Sequence, residues 1–276
     1  MLWEELTAKT FSESISKSEG VCILPIGVLE KHGDHLPLAT DMYIVEALAR
    51  QAANITPAVV FPSYFLGQIA EAKHEKGTIA PSHKLIMDAL LEMCDEIHRN
   101  GFNKVFILNG HGGNNAFLPF FAQQMPGINR NYAVYTQFCH SMDEEQAQAI
   151  LSHTGVKTLG MHAGFLETSL IMHLRPDLVN MDEVIPSEFD NLERLKGFDG
   201  LHIFTGFDWY AKFPHHFAGD PAEASASHGK FIFDILLNNV VKSINTIKAD
   251  DVSLSLVNHY NKLTQHNRDC GEGSLP

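Results

Sequence analysis

The sequence predicts a single three-layer α/β/α domain around a mostly parallel central sheet, and three observations support that prediction. Apolar, β-branched runs recur along the chain, as in strands that are covered on both faces. Helical patterns separate these runs, and strand–helix–strand order builds parallel sheets from βαβ units. No internal repeat or low-complexity linker divides the chain, so we expect one domain over residues 1–276.

The first strand and the first long helix follow one another near the N-terminus. GVCILPIGVL at 20–29 predicts a strand that is buried on both faces. Asp41 then opens a helix in DMYIVEALARQAA, because an acid near a helix start is favoured by the dipole. PAVVFPSYF at 57–65 predicts a second strand, interrupted by proline.

The next part of the chain repeats this alternation. SHKLIMDALLEMCDEIHRNG at 82–101 predicts a helix with a serine N-cap and a glycine stop. KVFILNG at 104–110 predicts a third strand and NYAVYTQF at 131–138 a fourth, with a helix beginning at Asn114 or Asn115 between them.

The second half is less regular. A helix is predicted over 162–175, ended by Pro176, and residues 186–219 are rich in aromatics, glycine and proline, which indicates an irregular excursion over the site or at an interface.

A long closing helix follows, with Asp220 as its cap and Pro221 in its first turn. Gly229 weakens the middle of that helix and could divide it in two. Residues 250–276 are expected to form a C-terminal tail.

Composition excludes some classes of partner. The chain has 33 acids against 20 bases, a net charge of −13 and no basic stripe, which argues against nucleic acid and anionic membranes. No apolar stretch approaches the roughly twenty residues of a spanning helix, and the N-terminus lacks the apolar region of a signal peptide. Four cysteines without C-x-x-C spacing are typical of a reducing cytoplasm.

Side chains that bind divalent metals are concentrated behind two of the predicted strands. In LPIGVLEKHGDHLPLATD (24–41), Glu30 and His32 follow the first strand and Asp41 opens the next helix, while His111 in LNGHGGN follows the third strand. Because ligands bind beyond the carboxyl ends of parallel strands, we expect these side chains to meet at one edge, with an Asp placed to bridge two cations. His35, between Gly33 and Leu36, is expected to be structural, hydrogen-bonded to backbone.

Each motif taken alone has a simpler explanation. A Glu-x-His pair is more often a solvated loop than a ligand pair. The glycines around His111 are more specific, since they free backbone N–H donors that suit an oxyanion. A nucleotide-binding loop fails on spacing: G-x-G-x-x-G requires glycine at 115, where Asn115 stands, and no G-x-x-x-x-G-K-[ST] occurs.

A third segment, MHAGFLETS (161–169), places His162 and Glu167 near the start of a helix. An acid in a first turn is ordinarily a surface residue favoured by the dipole. Together with the other two segments, however, this pair predicts further members of the same site.

These segments resemble the creatininase (creatinine amidohydrolase) family. The resemblance is carried by LPIGVLEKHGDHLPLATD, ILNGHGGN and HAGFLETSLIMHLRPDLV, in that order, with AGDPAEASASHGK near the end. It implies one α/β domain, two divalent metal ions, hydrolysis of a C–N amide-type bond in a small molecule, and a homo-oligomer, often a hexamer.

Carried over by position, the resemblance implies that Glu30, Asp41 and His111 hold one metal. His32 and Asp41 hold the other, so that Asp41 bridges. Creatininases proper have a further glutamate ligand where this chain has Gly113.

A tyrosine beside the substrate in creatininases is Gly112 here. Glu167 is then the candidate for the missing carboxylate, and His162 matches a histidine that carries protons near the substrate.

The substrate pocket also departs from the family pattern. In HEKGTIA (74–80), Lys76 replaces the proline of a phenylalanine-proline-glycine-threonine run. The remaining pocket candidates are His74, Thr78, Gly112, Gly113 and Asn114. These departures point away from creatinine itself and towards relatives with the GHGGN form, which include deformylases of formamidopyrimidine compounds and a peptidase acting on a small modified peptide.

The ligand set predicts the chemistry. Mixed histidine and carboxylate ligands suit Zn²⁺, Mn²⁺ or Fe²⁺, and two such ions activate water for attack on an amide carbon. His162 would donate a proton to the departing nitrogen. Two other classes stay open: a metal-dependent phosphoesterase, which the scarcity of Arg and Lys beside Lys31 disfavours, and a metal-binding oligomer without catalysis.

Overall fold

The protein is described by a computed structural model over residues 1–269, with side chains to residue 264. Its four strands are β1 (Val21–Ile26), β2 (Val59–Val60), β3 (Lys104–Asn109) and β4 (Ala133–Phe138). Its α-helices are α1 (Ala8–Lys17), α2 (Thr40–Ile55), α3 (His83–Arg99), α4 (Asn114–Gln123), α5 (Met125–Ile128), α6 (Glu144–Thr154), α7 (Phe165–Leu174), α8 (Asp208–Lys212), α9 (Ala226–Ala249) and α10 (Val252–Asp269).

The strands form one sheet in the order β2–β1–β3–β4, and every neighbouring pair is parallel. Ile23 of β1 lies opposite Phe106 of β3, which lies opposite Tyr135 of β4. The chain moves to one side of β1 to form β2 and then returns to the other side to form β3. A crevice therefore opens between the carboxyl ends of β1 and β3, where open α/β sheets bind their ligands.

Two apolar cores cover the faces of this sheet and confirm the three-layer α/β/α prediction. Ile23 and Phe106 face the core formed with α2, α7 and α9. Their neighbours Leu24 and Ile107 face the second core, formed with α1, α3 and α4. Because successive side chains of a strand point to opposite faces, both faces of an unbroken apolar strand are buried here.

The second predicted strand is shorter than 57–65 because Pro62 has no backbone N–H for the ladder. Pairing resumes after it, where the Tyr64 N–H donates to the carbonyl of Pro25 at 2.9 Å and the Gly27 N–H donates to the carbonyl of Tyr64 at 2.9 Å. This contact fixes the path of the chain as it leaves β1 towards the metal-ligand motif.

The prediction for the closing helix was wrong in its start and in its division. Helix α9 begins at Ala226, where the Ser225 hydroxyl accepts the N–H of His228, so Asp220 and Pro221 lie outside it. The helix is continuous through Gly229, whose missing Cβ lets α9 cross α7 closely: a Cβ there would lie 1.8 Å from the carbonyl oxygen of Ser169.

The expected C-terminal tail is largely helical. Its residues 252–269 form α10, which is tied to the body by a 2.8 Å hydrogen bond from the Asn261 amide to the carbonyl of Arg130. Residues 270–276, including Cys270, lie outside the described residues. Cys22, Cys94 and Cys139 are free and buried.

Helices α1 and α6 had no predicted counterpart. The 186–219 segment is irregular, as expected, and contains only short 3₁₀ turns and the five-residue α8. Its end returns to the site, where Ala218 and His162 exchange two backbone hydrogen bonds of 2.9 and 3.0 Å. Among residues 1–269, no helix combines the length and apolar character needed to cross a bilayer.

Candidate metal centre

The ligand-type residues converge in the crevice between β1 and β3. Glu30 and His32 lie on the loop after β1, His111 follows β3, and Asp41 lies in the first turn of α2. Glycines at both strand exits allow this approach: a Cβ on Gly27 would lie 2.9 Å from the Met42 nitrogen, and one on Gly110 would lie 2.7 Å from the Asp41 carbonyl oxygen. The start of α2 is therefore pressed against both strand ends.

The first group of ligand atoms surrounds Nδ1 of His111. This atom lies 2.7 Å from Glu30 Oε1 and 3.1 Å from Asp41 Oδ2. The other ring nitrogen, Nε2, lies 2.8 Å from the carbonyl oxygen of Gln68 and donates to it. In the neutral ring Nδ1 therefore presents a lone pair towards two carboxylate oxygens.

The second group surrounds Nε2 of His32. It lies 3.2 Å from Asp41 Oδ1 and 3.8 Å from Glu167 Oε2. His32 Nδ1 is 3.3 Å from the Glu30 carbonyl oxygen, which orients the ring. Asp41 thus lies between the two imidazoles, with one carboxylate oxygen towards each.

These residues fit a pair of cations. Glu30, His32, Asp41 and His111 are almost completely buried, and Glu30 Oε1 and Asp41 Oδ2 have no hydrogen-bond donor among the described residues. Three overlapping sets, Glu30–Asp41–His111, His32–Asp41–Glu167 and Glu30–His32–His162, each offer three ligand atoms within 4.8 Å of one another, and the first two share Asp41. Buried carboxylates and lone pairs that converge without donors are stabilised by positive charge.

In the absence of a cation, protons on the imidazoles take that role. Burial lowers the pKa of His32, but the charges of Asp41, Glu30 and Glu167 outweigh it and raise the pKa to about 9. The pKa of His111 is raised well above its usual value by Glu30 and Asp41, again against burial. Burial raises the pKa of Glu167 to about 7.

His162 lies beside this centre, in the turn before α7 and not within the predicted helix, because Ala163 adopts a left-handed conformation with φ of 56°. Its Nε2 donates to the carbonyl of Lys31 at 2.9 Å, and Nδ1 lies 4.0 Å from Glu167 Oε2. Burial, together with the neighbouring His32 and His216, lowers the pKa of His162 well below its usual value. The neutral ring therefore presents Nδ1 to the centre as a proton acceptor.

The candidate pocket residues have mixed positions. Thr78 and His74 support loops: the Thr78 hydroxyl accepts the Lys31 N–H at 3.4 Å, and His74 Nε2 donates to the carbonyl of Pro214 at 2.7 Å. Asn114 is buried, and its amide is engaged by the Gln68 N–H and by Asn109. The interpretation of Asn114 as a substrate contact is therefore replaced by a supporting role, because it holds the segment whose carbonyl orients His111.

Gly112 and Gly113 differ from each other. Gly112 is exposed, and a Cβ there would meet nothing within 4 Å. A Cβ on Gly113 would lie 2.4 Å from His111 Nε2 and 2.7 Å from the Gln68 carbonyl oxygen. This backbone consequently has no room for the glutamate that creatininases are expected to carry at that position.

His35 lies outside the cluster. Its Nε2 donates to the hydroxyl of Thr168 at 3.0 Å, and that hydroxyl donates to the carbonyl of Ala163. His35 is thus structural and connected to the backbone carbonyl of Ala163, as expected, and burial lowers its pKa to about 4.

Sequence reasoning missed His216 and the role of Trp209. His216 is buried against the centre and its Nε2 contacts Glu30 Oε2, while its Nδ1 accepts the indole N–H of Trp209 at 2.8 Å. Burial lowers the pKa of His216 to about 2, so the ring is neutral. The sequence signal was a second histidine in an irregular, aromatic-rich segment, but nothing in KFPHHFAG distinguishes the buried His216 from the half-exposed side chain of His215.

A cleft of about 290 Å³ reaches the centre from the side of β4. Glu167 is one of its lining residues, and the walls are mainly apolar side chains, including Phe138, Leu159 and Met161. His140 also lines the cleft, and its buried Nε2 has no hydrogen-bond partner among residues 1–269. The cleft therefore offers a small organic molecule an apolar surface and one imidazole, next to a proposed metal ligand.

Comparison with known proteins gives one consistent result. The family model described as "Creatininase: Creatinine amidohydrolase" matches residues 4–244. The creatinine amidohydrolase of Pseudomonas putida is 25% identical over 260 residues, covering 87% of this chain and 94% of that protein. The mycofactocin precursor peptide peptidase of Mycobacterium ulcerans is 28% identical over 249 residues, covering 87% and 90%.

A solved mutant creatininase in its Zn–Zn form has a similar structure, with a TM-score of 0.74 at 20% sequence identity. The match covers 90% of this chain and 98% of that chain. At this identity the similarity establishes the fold.

Proposed function

The chain belongs to the creatininase family, and on that premise we propose that it is a binuclear metal-dependent amidohydrolase that cleaves a C–N amide bond in a small molecule. The observation that carries this proposal is the pair of ligand sets that share Asp41. A carboxylate that presents one oxygen to each of two imidazoles is the arrangement that a bridged pair of cations requires.

Glu30, Asp41 and His111 hold one ion in this proposal. His32, Asp41 and Glu167 hold the other, and the absence of space for a side chain at Gly113 supports Glu167 as the additional carboxylate. The outer nitrogens of both imidazoles bond to backbone carbonyls, which orients the rings as in well-characterised metal centres.

When bound, two divalent ions lower the pKa of a shared water and polarise the amide carbonyl. Hydrolysis then joins the water oxygen to the carbonyl carbon and breaks the C–N bond, so the nitrogen must leave with a proton. His162 is placed for that transfer: its Nε2–H is committed to the Lys31 carbonyl, and the Nδ1 lone pair faces the centre, so Nδ1 would take the proton released by the attacking water and pass it to the departing nitrogen. Backbone N–H groups near Gly112 and Gly113 are suited to stabilise the oxyanion.

The donor set suits more than one metal. Zinc and manganese are the metals named for solved creatininases, and mixed imidazole and carboxylate ligands accept either. We include iron as a third candidate on the chemistry of the ligands alone.

The substrate class follows from the cleft. Its volume and apolar walls suit a cyclic amide, a formamide or a similar small molecule. Gly112, in place of the family's tyrosine, argues against creatinine itself. A deformylase or a peptidase acting on a short modified peptide is the alternative within the family.

A phosphoesterase is disfavoured by charge. Lys31 is the basic side chain within the first metal-ligand motif, and its ammonium lies within 4 Å of Asp34, Glu75 and Glu188. It is therefore not free to bind a phosphate group. A non-catalytic metal protein is disfavoured because Nδ1 of His162 faces the centre while Nε2 donates to the Lys31 carbonyl, an orientation that suits proton transfer.

The remaining features of the proposal concern assembly and location. We propose that the chain forms one domain and assembles in the cytoplasm as a homo-oligomer, such as a hexamer. The 186–219 segment supports an interface between subunits because it exposes large apolar side chains, and Phe204 is 84% exposed. These side chains include Leu201, Ile203, Phe204 and Phe207.

Elemental analysis and a substrate panel test the proposal. The purified chain should contain or take up about two equivalents of zinc or manganese. It should then hydrolyse one of a panel of creatinine, hydantoins, formamides and short peptides, but not p-nitrophenyl phosphate. A protein that neither contains nor binds transition metals would refute the proposal, and turnover of the phosphate ester alone would favour the phosphoesterase.

A further inference from the structure

A chain of hydrogen bonds connects the irregular 186–219 segment to the metal centre. The indole N–H of Trp209 donates to Nδ1 of His216 at 2.8 Å, and Nε2 of His216 contacts Oε2 of Glu30. His216 is 3% exposed and Glu30 is completely buried, so water does not compete for these groups.

The donor at one end determines the tautomer of the ring. An indole nitrogen can only donate, so Nδ1 of His216 must accept. The proton of the neutral imidazole then resides on Nε2, which donates to the Glu30 carboxylate. Both ring nitrogens are thereby committed, and neither offers a lone pair to a metal.

This hydrogen bond divides the two oxygens of Glu30 between different roles. Oε2 accepts from His216, whereas Oε1 faces Nδ1 of His111 at 2.7 Å. Glu30 is therefore oriented to bind through Oε1 alone. A metal-binding carboxylate that is hydrogen-bonded in this way loses less conformational freedom when the ion arrives.

The backbone around His216 is held from several directions. His216 adopts a left-handed conformation with φ of 54°, and its N–H donates to the carbonyl of Phe213 at 3.0 Å. Two residues later Ala218 pairs with His162, and the carbonyl of Pro214 accepts from His74. The rings of His216 and His162 lie 4.2 Å apart between centroids.

From this geometry we infer that His216 is a positioning residue for the metal centre and that Trp209 sets its tautomer. The inference rests on the proposed binuclear centre and goes beyond it, because it makes metal affinity depend on the 186–219 segment. Loss of such an outer hydrogen bond lowers metal affinity by about 10- to 100-fold in known sites.

Zinc binding by the full chain tests this without any substrate. Metal-depleted protein is titrated with Zn²⁺ in competition with a chromophoric chelator, for the unmodified chain, His216→Ala, His216→Gln, Trp209→Phe and His215→Ala. His216→Gln retains an N–H donor near the position of Nε2. His215→Ala is the matched control, since that histidine is adjacent, half-exposed and directed towards Glu188.

We expect His216→Ala to weaken one of the two zinc equivalents by about 10- to 100-fold and His216→Gln to recover most of the loss. Trp209→Phe should weaken binding by less, because the ring can then exchange tautomers. His215→Ala should bind as the unmodified chain does. Thermal unfolding of the metal-free variants identifies any variant that has not folded.

Three results would overturn the inference. The first is His216→Ala binding zinc as tightly as the unmodified chain, and the second is His215→Ala weakening binding as much as His216→Ala does. The third result is Trp209→Phe binding zinc as tightly as the unmodified chain or more tightly. The last result would indicate that His216 is itself a ligand. If the unmodified chain binds no zinc, the proposed function fails; if it binds two equivalents and His216→Ala equals it, only this inference fails.

Discussion

Replacing Gly229 with alanine should loosen the junction between α7 and α9. A Cβ built at Gly229 lies 1.8 Å from the carbonyl oxygen of Ser169, 2.5 Å from its carbonyl carbon and 2.9 Å from Cβ of His173. Cβ atoms essentially never approach heavy atoms closer than 3.0 Å. The obstacle is backbone, which cannot rotate away, so the helices must separate by more than about 1 Å.

The magnitude follows from two opposed terms. Overpacking of a buried junction costs about 1–3 kcal/mol and occasionally more, and a clash with backbone belongs at the upper end. Alanine in place of glycine within a helix returns about 1 kcal/mol. We therefore expect a net loss of about 2 kcal/mol in the free energy of unfolding, which lowers the midpoint by about 3–4 °C for a chain of 276 residues.

Thermal unfolding of the metal-free protein measures the loss, with Gly127→Ala as the control. Gly127 lies in the short helix α5, and a Cβ there would meet nothing within 4 Å. Its replacement should leave the midpoint unchanged or raise it slightly. A Gly229→Ala protein that unfolds at or above the unmodified midpoint would show that the close crossing is not maintained.

Three further predictions concern the centre and its surroundings. Asp41→Asn keeps the shape of the side chain but removes the charge that faces both imidazoles. Elemental analysis should therefore find both ions lost, and activity should fall at least about 100-fold. Two ions retained per chain would contradict the role of Asp41 as a bridge. His162→Gln should retain both ions while kcat falls by about 10²- to 10⁴-fold, and unchanged turnover would remove His162 from the mechanism. His35 is neutral in the folded protein, where its pKa is lowered from 6.5 to about 4. Between pH 6.5 and about 4 the unfolded chain therefore binds more protons than the folded chain. The free energy of unfolding consequently falls as the pH decreases through this range. In metal-free His35→Gln, unfolding curves should show up to about 3 kcal/mol less of this acid-dependent loss, and an identical slope would exclude His35 as its source.

The strands were predictable because each is an unbroken apolar run, which is the pattern of a strand that is buried on both faces of a sheet. The convergence of Glu30, His32 and His111 was predictable for a related reason, since residues that follow parallel strands meet at one edge. The helix start at Ser225 was missed because Asp220 and Pro221 offer an equally good local signal, and packing of α9 against α7 decided between them.

His216 could not be assigned from the sequence. Its burial depends on a left-handed turn and on backbone pairing with His162, which are contacts between distant segments without a local pattern. The expectation that Gly229 weakens the closing helix was wrong for a similar reason. Gly229 allows α9 to pack closely against Ser169 of α7, a contact between distant segments that the local sequence does not show.

The residues of the candidate metal centre are synthesised at widely separated stages of translation. Glu30, Asp41 and His111 have all been synthesised once residue 111 is added, whereas Glu167 follows later and His216 lies 186 residues after its partner Glu30. A nascent chain thus exposes one three-ligand set long before the other exists, and the complete cage requires the last part of the domain to fold back onto the first. Since contacts between distant segments form slowly, we expect the ligand set that includes Glu167 to be completed after the set of Glu30, Asp41 and His111.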